Sequence, residues 1–358
     1  MIKSINFQRI NLVMEKPFKI ALGTTEFYEG FFVSIETNDG ITGFGEATTT
    51  PFITGDTMGS IESELSYFSK KLAGEEESPE IVNSKMKSLM RSSKASRNAI
   101  DCALWDIIGK RANMNLAKLL GNHKKSILTS YTVDLVDEAS ARAQAKELLN
   151  QGLKVFKIKV GSGIEEDLRR VRAVREVVGD GKMIYIDFNQ AYSVKNTVRI
   201  SRLLEPYNIE FIEQPIASTD IAGLRFIRDH SEIPVYADET IFTPQDVSEV
   251  LRREAVDGIN IKLMKSGGIS DAMQMANTAK SFGVPVMIGC MVETRIANTS
   301  GLVVALGNSA VKYADLDGYN NIRDDPVSEG ILLKNGEVGL SSDLPGTGIT
   351  LKDEFQVK

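Results

Sequence analysis

The chain has 358 residues, 42% of them apolar and 25% charged, with a formal net charge of -6. That composition fits a water-soluble globular protein with a large core and room for more than one domain, and its acidity argues against a nucleic-acid partner. The opening MIKSINFQRINLVMEKPF has no apolar run of the length a signal peptide or membrane span requires, so a cytoplasmic location without a membrane partner is expected.

Cys102 and Cys290 match no metal-ligand spacing and are expected as small buried hydrophobes. His123, in the turn-like GNHKK, and His230 are the two histidines, so acid–base chemistry is expected to rest on other residue types. Up to about residue 125 the pattern is that of an α+β domain. FFVSIETNDGITGFGEA holds two strand-like runs about Asn38-Asp39-Gly40, a hairpin signal. Ile61, Leu65, Phe68 and Leu72 then fall at helical spacing, as do Ile100, Ala103, Leu104, Ile107 and Ile108 around the lone Trp105.

From about residue 127 strands and helices alternate. The strand candidates are LTSYTVD (128–134), KVFKIKV (154–160), MIYIDFN (183–189), IEFIEQP (209–215), VYADE (235–239), GINIKLM (258–264), PVMIGCM (285–291) and KYADLDG (312–318). Between the second and third, Ile164, Leu168, Val171, Val174 and Val178 share a helical face, with acids in the first turn and arginines later, as the helix dipole favours. Gly152, Gly179 and Gly283 stand where helices should stop. The sixth and seventh helices are the least clearly marked. Eight such units predict an α/β fold, a (β/α)8 TIM-like barrel over 126–320 behind an α+β capping domain over 1–125. The segment 321–358, with its hairpin-like GILLKNGEVGL, is expected to return to the capping domain.

Charge recurs at the strand ends with a period of about 25 residues. Asp187, Glu213 and Asp238 end three consecutive strands, and barrel closure would gather them at one mouth. Three buried carboxylates repel one another unless a divalent cation joins them, and an all-oxygen set suits Mg²⁺. Lys157 and Lys159, two apart on a strand, both face the interior, and Lys262 takes the equivalent place across the barrel. A neighbouring cation is expected to push Lys159 toward a base that works near neutral pH, while Lys265, beyond the strand, is expected in a loop. Two lysines flanking a metal site suit removal and return of a carbon-bound proton next to a carboxylate, with Lys157 stabilising the charge that develops.

KIKVG, DFNQ, IEQP, ADE and NIKLMKSGG, with the preceding α+β domain, resemble the muconate-lactonising subgroup of the enolase superfamily over essentially the whole chain. The resemblance implies that Asp187, Glu213 and Asp238 ligate Mg²⁺, that Lys159 and Lys262 are the acid–base pair with Lys157 as helper, and that Asn189 and Glu239 orient ligands and Lys262. Asp315 and Asp317 at the eighth strand resemble the Asp-x-Asp with which dipeptide epimerases hold a peptide's amino group, and Thr132 matches a peptide-contacting position. Segments 21–27 and 48–57 correspond to lid loops of this family. Gly23 stands where members acting on L-Ala-D/L-Glu often carry an arginine; Arg295 is a candidate cation for a substrate carboxylate, whereas Phe27, Phe52 and Ile53 suit an apolar side chain.

The expected activity is therefore a Mg²⁺-dependent isomerase that inverts the α-carbon of the C-terminal residue of L-Ala-L-Glu-like or other L,L-dipeptides. Its partners would be the small dipeptide and, at most, further copies of this chain as a homo-oligomer. Competing readings are o-succinylbenzoate synthesis or muconate cycloisomerisation on the same scaffold, a Schiff-base aldolase, and a non-catalytic binding protein.

Overall fold

The structure is a computed structural model that describes residues 1–21, 23–121 and 123–352. Leu22 of the expected lid segment, Asn122 of GNHKK and the last six residues of the expected C-terminal segment lie outside the described residues.

Strands β1 (Ile2–Ile20), β2 (Gly23–Thr37) and β3 (Thr42–Thr48) form an antiparallel sheet. The expected hairpin joins β2 to β3, with Gly40 at φ 85°. The long β1 has no counterpart among the expected strands, because its polar and apolar residues do not alternate cleanly and its pairing with β2 is broken between Val13 and Phe18. Helices α1 (Met58–Leu72), α2 (Pro79–Leu89) and α3 (Lys94–Arg111) cover the sheet, and the short α4 (Leu116–Leu119) leads to β4 (Ser126–Leu128). The glycines of β3 let α3 approach very closely: a Cβ on Gly43 or Gly45 would sit about 2 Å from the carbonyls of Ala103 or Ala99.

Eight parallel strands follow: β5 (Ser130–Val133), β6 (Val155–Lys159), β7 (Met183–Asp187), β8 (Ile209–Glu213), β9 (Val235–Ala237), β10 (Gly258–Lys262), β11 (Val286–Gly289) and β12 (Val311–Asp315). All eight overlap the expected runs. A parallel bridge between Thr129 and Ala314 brings the first and last together, closing the barrel. The intervening helices are α5 (Glu138–Asn150), α6 (Ile164–Val178), α7 (Val194–Leu204), α8 (Ile221–His230), α9 (Pro244–Arg252), a single turn α10 (Leu263–Ser266), α11 (Ile269–Ser281) and α12 (Arg295–Gly307). No α-helix follows β12 among the described residues; a 3₁₀ turn over Gly318–Asn321 takes its place.

Odd and even positions of each strand separate two environments. Phe156, Ile158, Ile184, Ile186 and Ile212 face the helices, while Tyr185, Phe211, Tyr236 and Met287 fill the barrel interior. The Phe211 ring stacks on Tyr185 and Tyr236 with centroids 4.4 and 4.0 Å apart, an aromatic floor that excludes water from below the charged layer.

The remaining strands are β13 (Val327–Glu329), β14 (Ile331–Lys334), β15 (Glu337–Leu340) and β16 (Thr350–Leu351). Their destination is divided. Ile322, Val327, Ile349 and Leu351 pack with Ile10, Leu12, Tyr28 and Phe32 of the capping sheet, whereas the β14–β15 hairpin pairs with β4 beside the barrel.

The two domains share buried polar joints as well. Glu46 of β3 is fully buried and accepts hydrogen bonds from Tyr28 Oη (2.8 Å), Thr294 N (2.8 Å), Thr294 Oγ1 and Ala297 N (3.1 Å), so a capping-domain carboxylate caps α12 of the barrel.

Candidate active site

Each strand from β6 to β10 delivers an inward charge at its C-terminal end, and closure places these around one point. Carboxylate oxygens of Asp187, Glu213 and Asp238 lie within 4.8 Å of one another, and all three residues are buried. One oxygen of each is anchored: Asp187 Oδ1 accepts from Asn189 N (2.9 Å), Glu213 Oε1 from Asn260 Nδ2 (2.7 Å), and Asp238 Oδ1 from Lys265 Nζ. The sister oxygens face inward. Glu213 Oε2 and Asp238 Oδ2 approach Lys157 and Lys262 Nζ at 3.0 and 2.9 Å yet accept no hydrogen bond. Three buried carboxylates, each pinned at one oxygen and directed inward at the other, fit a hard divalent cation such as Mg²⁺. Without one, burial and then the Asp187 charge push the Glu213 carboxyl up to about 8.

Lys157 and Lys159 project together from β6. Lys157 Nζ lies 2.7 Å from Asp315 Oδ2 and 3.0 Å from Asp187 Oδ2. Lys159 Nζ donates to Asp187 Oδ2 (2.6 Å) and Asn189 Oδ1 (3.0 Å). Lys262 contacts Asp238 from β10, four strands from β6 in a ring of eight, and so from the opposite wall. Burial works against the Lys157 and Lys262 ammonium groups, but the adjacent carboxylates, Asp187 and Asp238 foremost, outweigh it and hold both well above the usual lysine range. Lys262 has room to rise because β11 carries Gly289 opposite; a Cβ there would stand 3.1 Å from Lys262 Cε.

Other expected site residues fall in distinct places. Asn189, at φ 40°, links Lys159 to Glu239 by donating from Nδ2 to Glu239 Oε1 (3.2 Å); burial, then the Asp238 charge, raise the Glu239 carboxyl to about 7. Asp315 is already engaged by Lys157 and by Ser130 Oγ (2.6 Å). Asp317 is half-buried at the mouth and accepts from Thr132 N at 3.0 Å. Burial and the Asp315 charge raise its carboxyl to about 7.

Two expectations need correction. Arg295 does not reach the mouth: its guanidinium donates to Ile331 O (2.7 and 3.2 Å) and Val327 O (3.1 Å), because the chain after β12 folds back over the start of α12. Lys265 is no loop residue; α10 turns it inward, where it is 1% exposed and bonds the Asp238 carboxylate and backbone carbonyl. Sequence reasoning also missed Asn260, whose position two residues before Lys262 marks it as inward-facing, and Gln214, whose Oε1 accepts from Asp238 N (2.9 Å) and Thr240 N (3.0 Å). Gln214 adopts φ 36° where β8 leaves the barrel.

Above this layer lies a cavity of about 500 Å³. Its floor includes Lys157, Lys159, Lys262, Asp315 and Asp317, and its roof includes Phe18, Phe27, Phe52 and Ile53. The expected lid 21–27 is the tip of the β1–β2 hairpin rather than a free loop: Phe18 pairs with Thr25 and Ile20 with Gly23. Gly23 does not line the cavity; a Cβ built on it would touch the Phe52 ring at 3.5 Å.

The enolase C-terminal domain-like family matches residues 140–355, and the mandelate racemase/muconate lactonizing enzyme N-terminal domain matches residues 5–121. The hydrophobic dipeptide epimerase of Enterococcus faecalis is 34% identical over 98% of this chain and 99% of its own length. A crystal structure of a dipeptide epimerase from Enterococcus faecalis with Mg and L-Leu-L-Tyr, 34% identical, superposes with a TM-score of 0.95, covering 98% of this chain and 99% of that one. The substrate-liganded L-Ala-D/L-Glu epimerase of Bacillus subtilis, 34% identical, also gives 0.95, over 97% and 98% of the two chains. With two family domains matched in order and full-length relatives that carry epimerase names, the chain belongs to the mandelate racemase/muconate lactonizing enzyme family of the enolase superfamily, beside its dipeptide epimerases.

Proposed function

We propose that this chain is a Mg²⁺-dependent dipeptide epimerase acting at the α-carbon of the C-terminal residue. The observation that carries it is the placement of Lys159 and Lys262 on opposite walls, each touching a different carboxylate of one triad and both lining one cavity. Asp187, Glu213 and Asp238 would hold the ion, which supplies positive charge next to the substrate carboxylate and makes the neighbouring C–H more acidic. With Asp187 and Asp238 engaged by the ion, the negative charge beside the two lysines would be offset, so that one, as a neutral amine, takes the α-proton while the other, as an ammonium, gives a proton to the opposite face. Lys157, held protonated among Asp187, Glu213 and Asp315, adds a fixed charge beneath the reacting carbon. Asp317 lines the cavity, accepts from Thr132 N through Oδ2, and as a carboxylate suits the substrate ammonium. We infer a cytoplasmic setting, which the two free buried cysteines support.

The test is deuterium uptake at the C-terminal α-carbon in D₂O with Mg²⁺, read by mass spectrometry; a dipeptide library without exchange would refute the reading. Muconate and o-succinylbenzoate precursors have no ammonium group, so Asp317→Asn separates these reactions from dipeptide turnover.

A further inference from the structure

The cavity walls above the lysines differ in chemistry from its floor. Phe18, Phe27, Phe52, Ile53 and Met291 supply the roof and one side. Two of these aromatics are exposed, Phe27 at 54% and Phe52 at 42%, and both line the mouth. Phe18 has the most telling position. Lys159 Nζ stands 5.9 Å from its ring centroid, so a side chain on a carbon that faces Lys159 meets this ring.

Charge on the walls points the same way. Beyond the three lysines of the floor, the described lining contributes a single cation, Lys16, whose Nζ lies 3.8 Å from Asp134 and whose side chain is 58% exposed. Against it stand Asp134 and Glu147, while Glu15 and Glu29 are paired with Arg323 (3.1 Å) and Arg9 (3.7 Å). A second carboxylate carried in on a substrate side chain would lose water and find, above the floor, no cation but Lys16, which already stands beside Asp134. An apolar side chain loses nothing and covers the exposed rings.

We propose that the substrate is a dipeptide whose C-terminal side chain is apolar, and that Phe18 and Phe52 determine this specificity. The inference rests on the epimerase reading and adds the substrate class. It is tested by D₂O exchange with the full-length Mg²⁺-loaded protein on a set of L-Ala-L-Xaa dipeptides in which Xaa is Leu, Met, Phe, Tyr, Glu, Asp, Lys or Arg. The apolar members should exceed the Glu and Asp members at least tenfold in kcat/KM. Phe18→Ala should lower the apolar values through KM. Gly23→Arg, at a backbone position that accepts a side chain, should raise the Glu-to-Leu ratio. Exchange that favours Glu or Asp overturns the proposal, as does exchange that favours Lys or Arg. In both cases the epimerase reading survives. Absence of exchange with every dipeptide overturns that reading and this inference together.

Discussion

Lys159 and Lys262 occupy equivalent posts on opposite strands, and each can serve as base for only one face of a planar carbon. Lys159→Met and Lys262→Met should therefore each cut epimerisation by about 10²–10⁴-fold, while each retains exchange of one stereoisomer only. Equal loss of exchange from both isomers in both variants would speak against a two-base mechanism. Lys265 acts through Asp238 and not on substrate. Lys265→Met should weaken Mg²⁺ binding about 10–100-fold by titration calorimetry. Asp317 provides a pH signature. Its carboxyl, raised to about 7 by burial and the Asp315 charge, must be ionised to hold an ammonium, so kcat/KM should climb as pH rises through about 7. In Asp317→Asn this limb should vanish and kcat/KM should fall about 10–100-fold. The charge types at these posts were legible in the sequence because strand ends are marked locally. That Asp315 is taken by Lys157 and Ser130 was not, since those partners lie 158 and 185 residues away along the chain.

Among the elements, the eight barrel strands declared themselves through short β-rich runs bounded by glycine or charge, and α6 through its apolar face and charge order. The β1–β2 hairpin did not. Read as a lid loop, its residues Gly23–Phe27 are strand, and the β1 arm is tied to the segment after β12 by Asn321 Nδ2 to Lys16 O (2.6 Å) and Arg323 N to Val13 O (2.9 Å). Arg295 likewise serves an element and not a substrate. Arg295→Lys should lower the thermal midpoint while kcat/KM for the preferred dipeptide stays within about twofold, because a lysine cannot reproduce the fork that holds Ile331 O and Val327 O. At the same N-terminus of α12, Glu46→Ala would strand the buried donors of Tyr28, Thr294 and Ala297 and should cost about 2–4 kcal/mol in denaturant unfolding.

For the whole molecule, the buried acids make folding and metal binding partners. Ion binding to the native triad alone should raise the thermal midpoint, by an amount equivalent to about 2.7 kcal/mol when Mg²⁺ is at 100 times its Kd, and EDTA should reverse it. A midpoint indifferent to Mg²⁺ would count against the triad as a metal site. The sequence by itself determined the repeat, the barrel, the identity of the strand-end charges and the two interior lysines, because alternation along a strand and the strand–helix period are local consequences of backbone geometry. Only the tertiary structure decided which oxygen of each carboxylate is anchored and which faces the centre, that Lys265 and Asn260 join the site while Arg295 leaves it, and that Phe18 stands in the roof above Lys159. Those outcomes depend on which side chains meet once Thr129 and Ala314 close the ring and the capping sheet folds over it, contacts that no local spacing encodes.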